Sequence, residues 1–81
     1  MIDVYYAITN MDSEYVLAGL KVAADIGGVV VTVQQPGRFS GERAVVSYKG
    51  RNLQIVDTEY LDVKEHAARL RAAIMEAGRL A

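Results

Sequence analysis

The sequence predicts an α+β fold, a two-layer sandwich of order β-α-β-β-β-α in which a four-stranded, mostly antiparallel sheet carries two helices on one face. Two patterns carry this expectation. Apolar residues alternate with polar ones near the amino terminus, and three further β-rich segments lie between Gly27 and Asp57, consistent with the two-residue period of strands. Two other segments repeat apolar residues at three- and four-residue steps, the period of a helix with a buried stripe.

Ile2, Val4, Tyr6 and Ile8 alternate with Asp3, Tyr5, Ala7 and Thr9, so the first strand turns its even residues inward. Asn10, Asp12 and Ser13 are helix-capping types, and Glu14 complements the dipole of a first turn. A helix is therefore expected from Ser13 to Ile26. Its apolar arc is wide: Val16, Leu17, Leu20, Ala23 and Ala24 form one side, and Tyr15, Val22 and Ile26 extend it. Such a helix needs a neighbour besides the sheet, and the carboxy-terminal helix can approach closely at Gly19. Gly27 and Gly28 end the helix, because glycine adopts left-handed backbone without steric cost.

Val29 to Gln35 is the second strand, and its unbroken Val29, Val30, Val31 implies burial on both faces and a central place. Pro36 to Glu42 is a loop. Ala44 to Lys49 and Leu53 to Asp57 form a hairpin. Its turn, Lys49-Gly50-Arg51-Asn52, has Gly at the first central position of a type II′ turn. That register would pair Tyr48 with Leu53, Val46 with Ile55 and Val45 with Val56. The last segment opens with Asp62 and Glu65 at capping-box spacing. Val63, Ala67, Leu70, Ile74 and Ala77 then form a narrow stripe, with Glu65 four residues before Arg69 on the solvent side.

A strand, helix, strand unit favours parallel first and second strands. An exposed valine-rich edge invites aggregation, so the order 1-2-3-4 is expected over 2-3-4-1. The uncovered face would then carry Asp3, Tyr5, Ala7, Thr9, Val30, Thr32, Gln34, Val45, Ser47, Gln54 and Val56. That mixture suits a solvated sheet face or a non-obligate protein interface.

At 81 residues, 52% apolar and 23% charged, the chain is expected to form one folded domain spanning residues 1–81. It has no cysteine, which excludes thiol chemistry and disulfide staples. No basic region leads an apolar run and no segment reaches the length of a membrane span, so a cytoplasmic location is expected. The net charge of −1 provides no general attraction for nucleic acid or anionic membrane.

Little in the residues supports catalysis. His66, the only histidine, follows Glu65 and is expected at a helix surface or boundary. No serine lies in a nucleophile-elbow pattern, and Gly27 and Gly28 end a helix where a phosphate cradle would begin one. Asp12, Glu14, Asp57, Glu59 and Asp62 should gather towards one end of the sheet, but without calcium-loop spacing, and those at helix starts serve caps and dipoles. No enzyme activity, cofactor or metal is expected.

Arg38, Arg43, Lys49 and Arg51 make the hairpin region basic, but strand length separates the first two from the last two by roughly 15 to 20 Å. Phe39, the only phenylalanine, sits beside Arg38 in a glycine-bounded loop, the composition of a binding hot spot. The residues expected to contact a partner are Arg38, Phe39, Arg43, Tyr5, Lys49 and Arg51. The expected function is a non-enzymatic protein-interaction module, a small inhibitor or regulator. By analogy of size and architecture, phage-borne anti-CRISPR inhibitors of bacterial immune complexes are one such class, and self-association into a homodimer is a close variant.

From the first helix to the last, the order helix, three strands, helix resembles a double-stranded RNA-binding domain, which implies nucleic-acid binding as the alternative. Those domains place a basic cluster at the start of the final helix, where this chain has Asp62, Val63, Lys64 and Glu65.

Overall fold

The computed structural model describes residues 1–9, 13–36, 42–58 and 61–80. The elements are β1 (Ile2–Ala7), α1 (Glu14–Ile26), β2 (Val29–Gln34), β3 (Arg43–Tyr48), β4 (Arg51–Asp57) and α2 (Val63–Leu80). They build the α+β fold that the patterning predicts, one mostly antiparallel four-stranded sheet with α1 and α2 packed against each other and against its strands.

The strand order is β2-β1-β3-β4, which corrects both 1-2-3-4 and 2-3-4-1. β1 pairs parallel with β2 and antiparallel with β3, so that Val4 lies between Val31 and Val46. What decides the centre is burial on both sides. Val4 and Tyr6 of β1 are fully buried and the intervening Asp3, Tyr5 and Ala7 are half-buried. β2 instead alternates half-buried and exposed residues, with Val30 41% exposed. Its valine run reflects β preference and burial of one face beneath α1. Because β1 lies between β2 and β3, the three strands after α1 do not form one consecutive meander.

The hairpin also departs from expectation. Tyr48 pairs with Arg51, and Lys49 and Gly50 have φ of 52° and 78°, the positive pair of a type I′ turn. The ladder then passes over Leu53, with Ser47 opposite Asn52 and Val46 opposite Gln54, so β4 carries a bulge. Beyond it Val45 faces Ile55 and Ala44 faces Val56. Moving the register by one residue exchanges the faces of β4: Val56 is buried at 3% exposure and Ile55 is 56% exposed. Asparagine tolerates left-handed backbone better than lysine, so Lys49→Asn should raise stability by roughly 0.5 kcal/mol. Thermal melting checks this, and a lowered melting temperature would contradict the turn type.

Helix α1 starts where the Ser13 Oγ accepts the Tyr15 N–H at 3.2 Å, and ends where the Gly27 N–H donates to the Ala23 carbonyl at 2.8 Å with φ of 80°. Its buried residues are Val16, Gly19, Val22 and Ala23. Leu17 and Leu20, expected inside, are 54% and 46% exposed, and Ala24 is exposed as well. The cause is the seat at Gly19, which lies directly on the Tyr6 ring: a Cβ there would come within 2.7 Å of two ring carbons. Resting on its glycine, the helix is rolled so that the leucines lie on one flank.

At the start of α2 the Asp62 carboxylate accepts the Glu65 N–H at 2.7 Å, and Glu65 pairs with Arg69 at 3.0 Å as their spacing predicts. Leu70, Ala73, Ile74 and Ala77 line its buried side. Arg71 reaches Asp25 at 2.9 Å, which sets α2 along the Asp25 flank of α1. No helix among the described residues is long and apolar enough to cross a membrane.

Candidate interaction surface

Side chains of cross-strand partners share a face, so the register assembles the side of the sheet away from the helices row by row. Val30, Asp3, Ser47 and Asn52 make one row; Thr32, Tyr5, Val45 and Ile55 make the next; Gln34, Ala7, Arg43 and Asp57 make the third. Gln54 and Val56, expected here, belong to the helix side, and Asn52 and Ile55 replace them. The middle row is the most apolar, running from Tyr5 through Val45 to the exposed Ile55. Beside it lies a shallow depression of about 300 Å³ lined by Tyr5, Gln34, Val45, Ser47, Gly50 and Asn52. No carboxylate, imidazole or amine side chain lines it. Such a recess can seat an apolar or amide side chain, but it holds no general acid and base pair.

Of the residues expected to bind a partner, Tyr5 stands at the centre of this face and Arg43 at its end, across from Asp57. Lys49 lies in the hairpin turn with its Nζ 5.4 Å from the centroid of the Tyr48 ring, within cation–π range. Arg51 pairs with Tyr48, whose other neighbour is the core-facing Ile2, so Arg51 falls on the helix side. The face therefore unites Tyr5 with Arg43 and separates both from Arg51. Arg38 and Phe39 lie outside the described residues, as do Asp12 and Glu59. Among the described residues no three acidic or histidine groups converge.

Among the described residues the one buried titratable pair is Tyr6 with His66, both 0% exposed. This corrects the expected surface or boundary placement of His66. The His66 Nδ1 is 3.1 Å from the Asp57 carbonyl, which can only accept, so Nδ1 carries the proton. Its Nε2 then accepts the Tyr6 O–H at 2.8 Å. The Tyr15 ring stands edge-on to the imidazole at 5.3 Å, and its hydroxyl donates to the Leu61 carbonyl at 2.6 Å. Burial lowers the His66 pKa, partly opposed by the Asp57 carbonyl, and burial pushes the Tyr6 phenol up. Sealed from solvent and with every polar atom partnered, the pair ties β1 to α2 and to the end of β4. The sequence held a signal for it: His66, Leu70, Ala73 and Ala77 follow three- and four-residue steps along the buried stripe.

No family model, curated protein or solved structure matches the chain. The functional reading therefore rests on the geometry alone.

Proposed function

We propose that this protein is a non-enzymatic interaction module that binds a protein partner through the open face of its sheet, as a small cytoplasmic inhibitor or regulator. The observation that carries this reading is the row Tyr5, Val45, Ile55: an apolar centre, half-buried to exposed, bordered by Asp3, Asn52, Gln34, Arg43 and Asp57. An apolar centre with a polar rim of both charges is the make-up of a non-obligate protein interface. Nucleic acid would require a basic face, whereas Asp3 and Asp57 outnumber Arg43 here. Arg38 and Phe39, outside the described residues, are further partner contacts proposed from the sequence alone.

Ile55→Arg tests the reading, because a long cation at the centre of the row blocks docking while an exposed position leaves the core intact. The wild-type protein should retain a stoichiometric protein partner from host lysate, Ile55→Arg should lose it at least about tenfold in affinity, and Met75→Glu on the exposed side of α2 should keep it. Phe39→Ala and Arg38→Ala extend the test to the loop. Retention on RNA that collapses as salt rises, or turnover of a small molecule by the purified chain, would overturn the proposal.

A further inference from the structure

We infer that the outer edge of β2, with the Leu20 and Ala24 flank of α1 above it, is a two-fold interface with a second copy of this chain. The surface is distinct from the open face, and the inference does not depend on what that face binds.

The backbone supplies the first part of the argument. The Ile8 N–H donates to the Gln34 carbonyl at 3.0 Å, so Gln34 turns its backbone groups towards β1. Alternation along the strand gives Thr32 and Val30 the same direction and turns the N–H and C=O of Val29, Val31 and Val33 outward. β2 is the last strand of the sheet, and no strand covers that edge among the described residues. Proteins usually blunt such an edge with a charge, a proline or a bulge. Val29–Gln34 contains none of these and is an uncharged strand with an unbroken register.

The helix layer supplies the second part. Asp25 faces α2 through Arg71, and on the helical wheel Leu20 and Ala24 lie on the other side of α1. Helix α1 covers β2 while α2 covers β3 and β4, so this flank overhangs the free edge of β2. Leu20 is half-exposed there, without an ionisable group between it and the strand; Leu17 points higher, beside Glu14 and Lys21. The overhang and the edge form one continuous uncharged wall two layers high.

A second copy fits that wall better than an unrelated strand. A two-fold axis perpendicular to the sheet at Val31 pairs β2 with its symmetry mate antiparallel, Val31 facing Val31 and Val29 facing Val33. In that register every outward N–H and C=O of the three valines finds a partner, and both helix layers remain on one side. The same axis sets the two α1 flanks against each other, and no like charges meet because neither the strand nor the stripe carries any. A wall about 20 Å long and two layers deep buries on the order of 1,000 Å² in total, the size at which specific interfaces begin. The product is an eight-stranded sheet with one uninterrupted open face.

Sedimentation equilibrium over micromolar to submillimolar protein tests this. The wild-type chain should reach twice its 8.8 kDa mass. Val31→Pro removes an outward N–H that β1 does not use, and Leu20→Glu apposes two carboxylates. Each should raise the dimer dissociation constant at least about tenfold with unchanged circular dichroism, and Leu20→Glu decides the matter if the proline variant misfolds. A wild-type chain that stays monomeric throughout, or a dimer that Ile55→Arg dissolves and Leu20→Glu leaves intact, would overturn the inference.

Discussion

Gly19→Ala should lower the melting temperature by on the order of 10 °C, a large effect for adding a single carbon. The new Cβ collides with the Tyr6 hydroxyl and lies 2.7 Å from two carbons of its ring. Tyr6 cannot step aside, since it is fully buried and its hydroxyl is committed to His66. Overpacking of this kind costs about 1–3 kcal/mol, against which alanine returns up to about 1 kcal/mol of helix propensity over glycine. The collision wins because the helix must lift from the sheet along the length of α1, loosening Val16, Val22 and Ala23 as well. At roughly 4–8 °C per kcal/mol for a domain of this size, the shift is readily measured. Gly78→Ala is the control: its Cβ would meet only the Ile2 Cδ1 at 4.0 Å, so it should be neutral or slightly stabilising. Equal melting temperatures for Gly19→Ala and the wild type would show that the seat of α1 on Tyr6 has been misread.

Breaking the Tyr6–His66 pair should have the second large effect, visible as a change in both stability and pH dependence. Tyr6→Phe leaves the His66 Nε2 buried without a donor, which costs about 1–3 kcal/mol. His66→Leu orphans the Tyr6 hydroxyl in turn, and combining the two changes should cost less than their sum. The pH dependence follows from the lowered pKa of His66, caused first by burial and countered by the Asp57 carbonyl. In the unfolded chain the imidazole titrates near about 6.5, above its folded value, so between the two values the unfolded state holds more protons and stability rises with pH. The contribution is complete above about pH 6.5 and is lost as pH falls below it towards the folded value. Urea midpoints measured from about pH 8 down to 5 should therefore fall for the wild type and fall less for His66→Gln. Parallel curves for the two proteins would exclude His66 as the cause.

The elements were legible because each is encoded locally. Strand β1 shows its two-residue alternation, Ser13 and Asp62 accept backbone hydrogen bonds at the starts of the helices, and Gly27 ends α1 with a positive φ in extended rather than left-handed helical backbone. The candidate surface was legible in part. Tyr5 and Arg43, named from the sequence, share the open face, whereas Ile55 lies on the opposite side from that expected because the bulge at Leu53 adds one residue to β4 and exchanges its faces; moving the turn alone shifts the pairing by two and exchanges none. Nothing in the local pattern distinguishes Lys49-Gly50 from Gly50-Arg51 as the centre of a hairpin turn with certainty. The positive φ of Lys49 is accepted because the ladder beyond it, bulged at Leu53, brings Val56 under the helices.

By itself the sequence determined which segments are strands and which are helices, where they start and stop, and that both helices have a core-facing side. These are properties of neighbouring residues and of backbone groups that must be satisfied nearby. Only the tertiary structure decided that β1 lies between β2 and β3, that α1 rests on Gly19 and so turns its leucines outward, and that His66 closes a buried hydrogen bond with Tyr6. The reason is that strand order and helix rotation depend on contacts between residues far apart in the chain. Valine looks the same in sequence whether α1 covers one side of its strand or protein covers both.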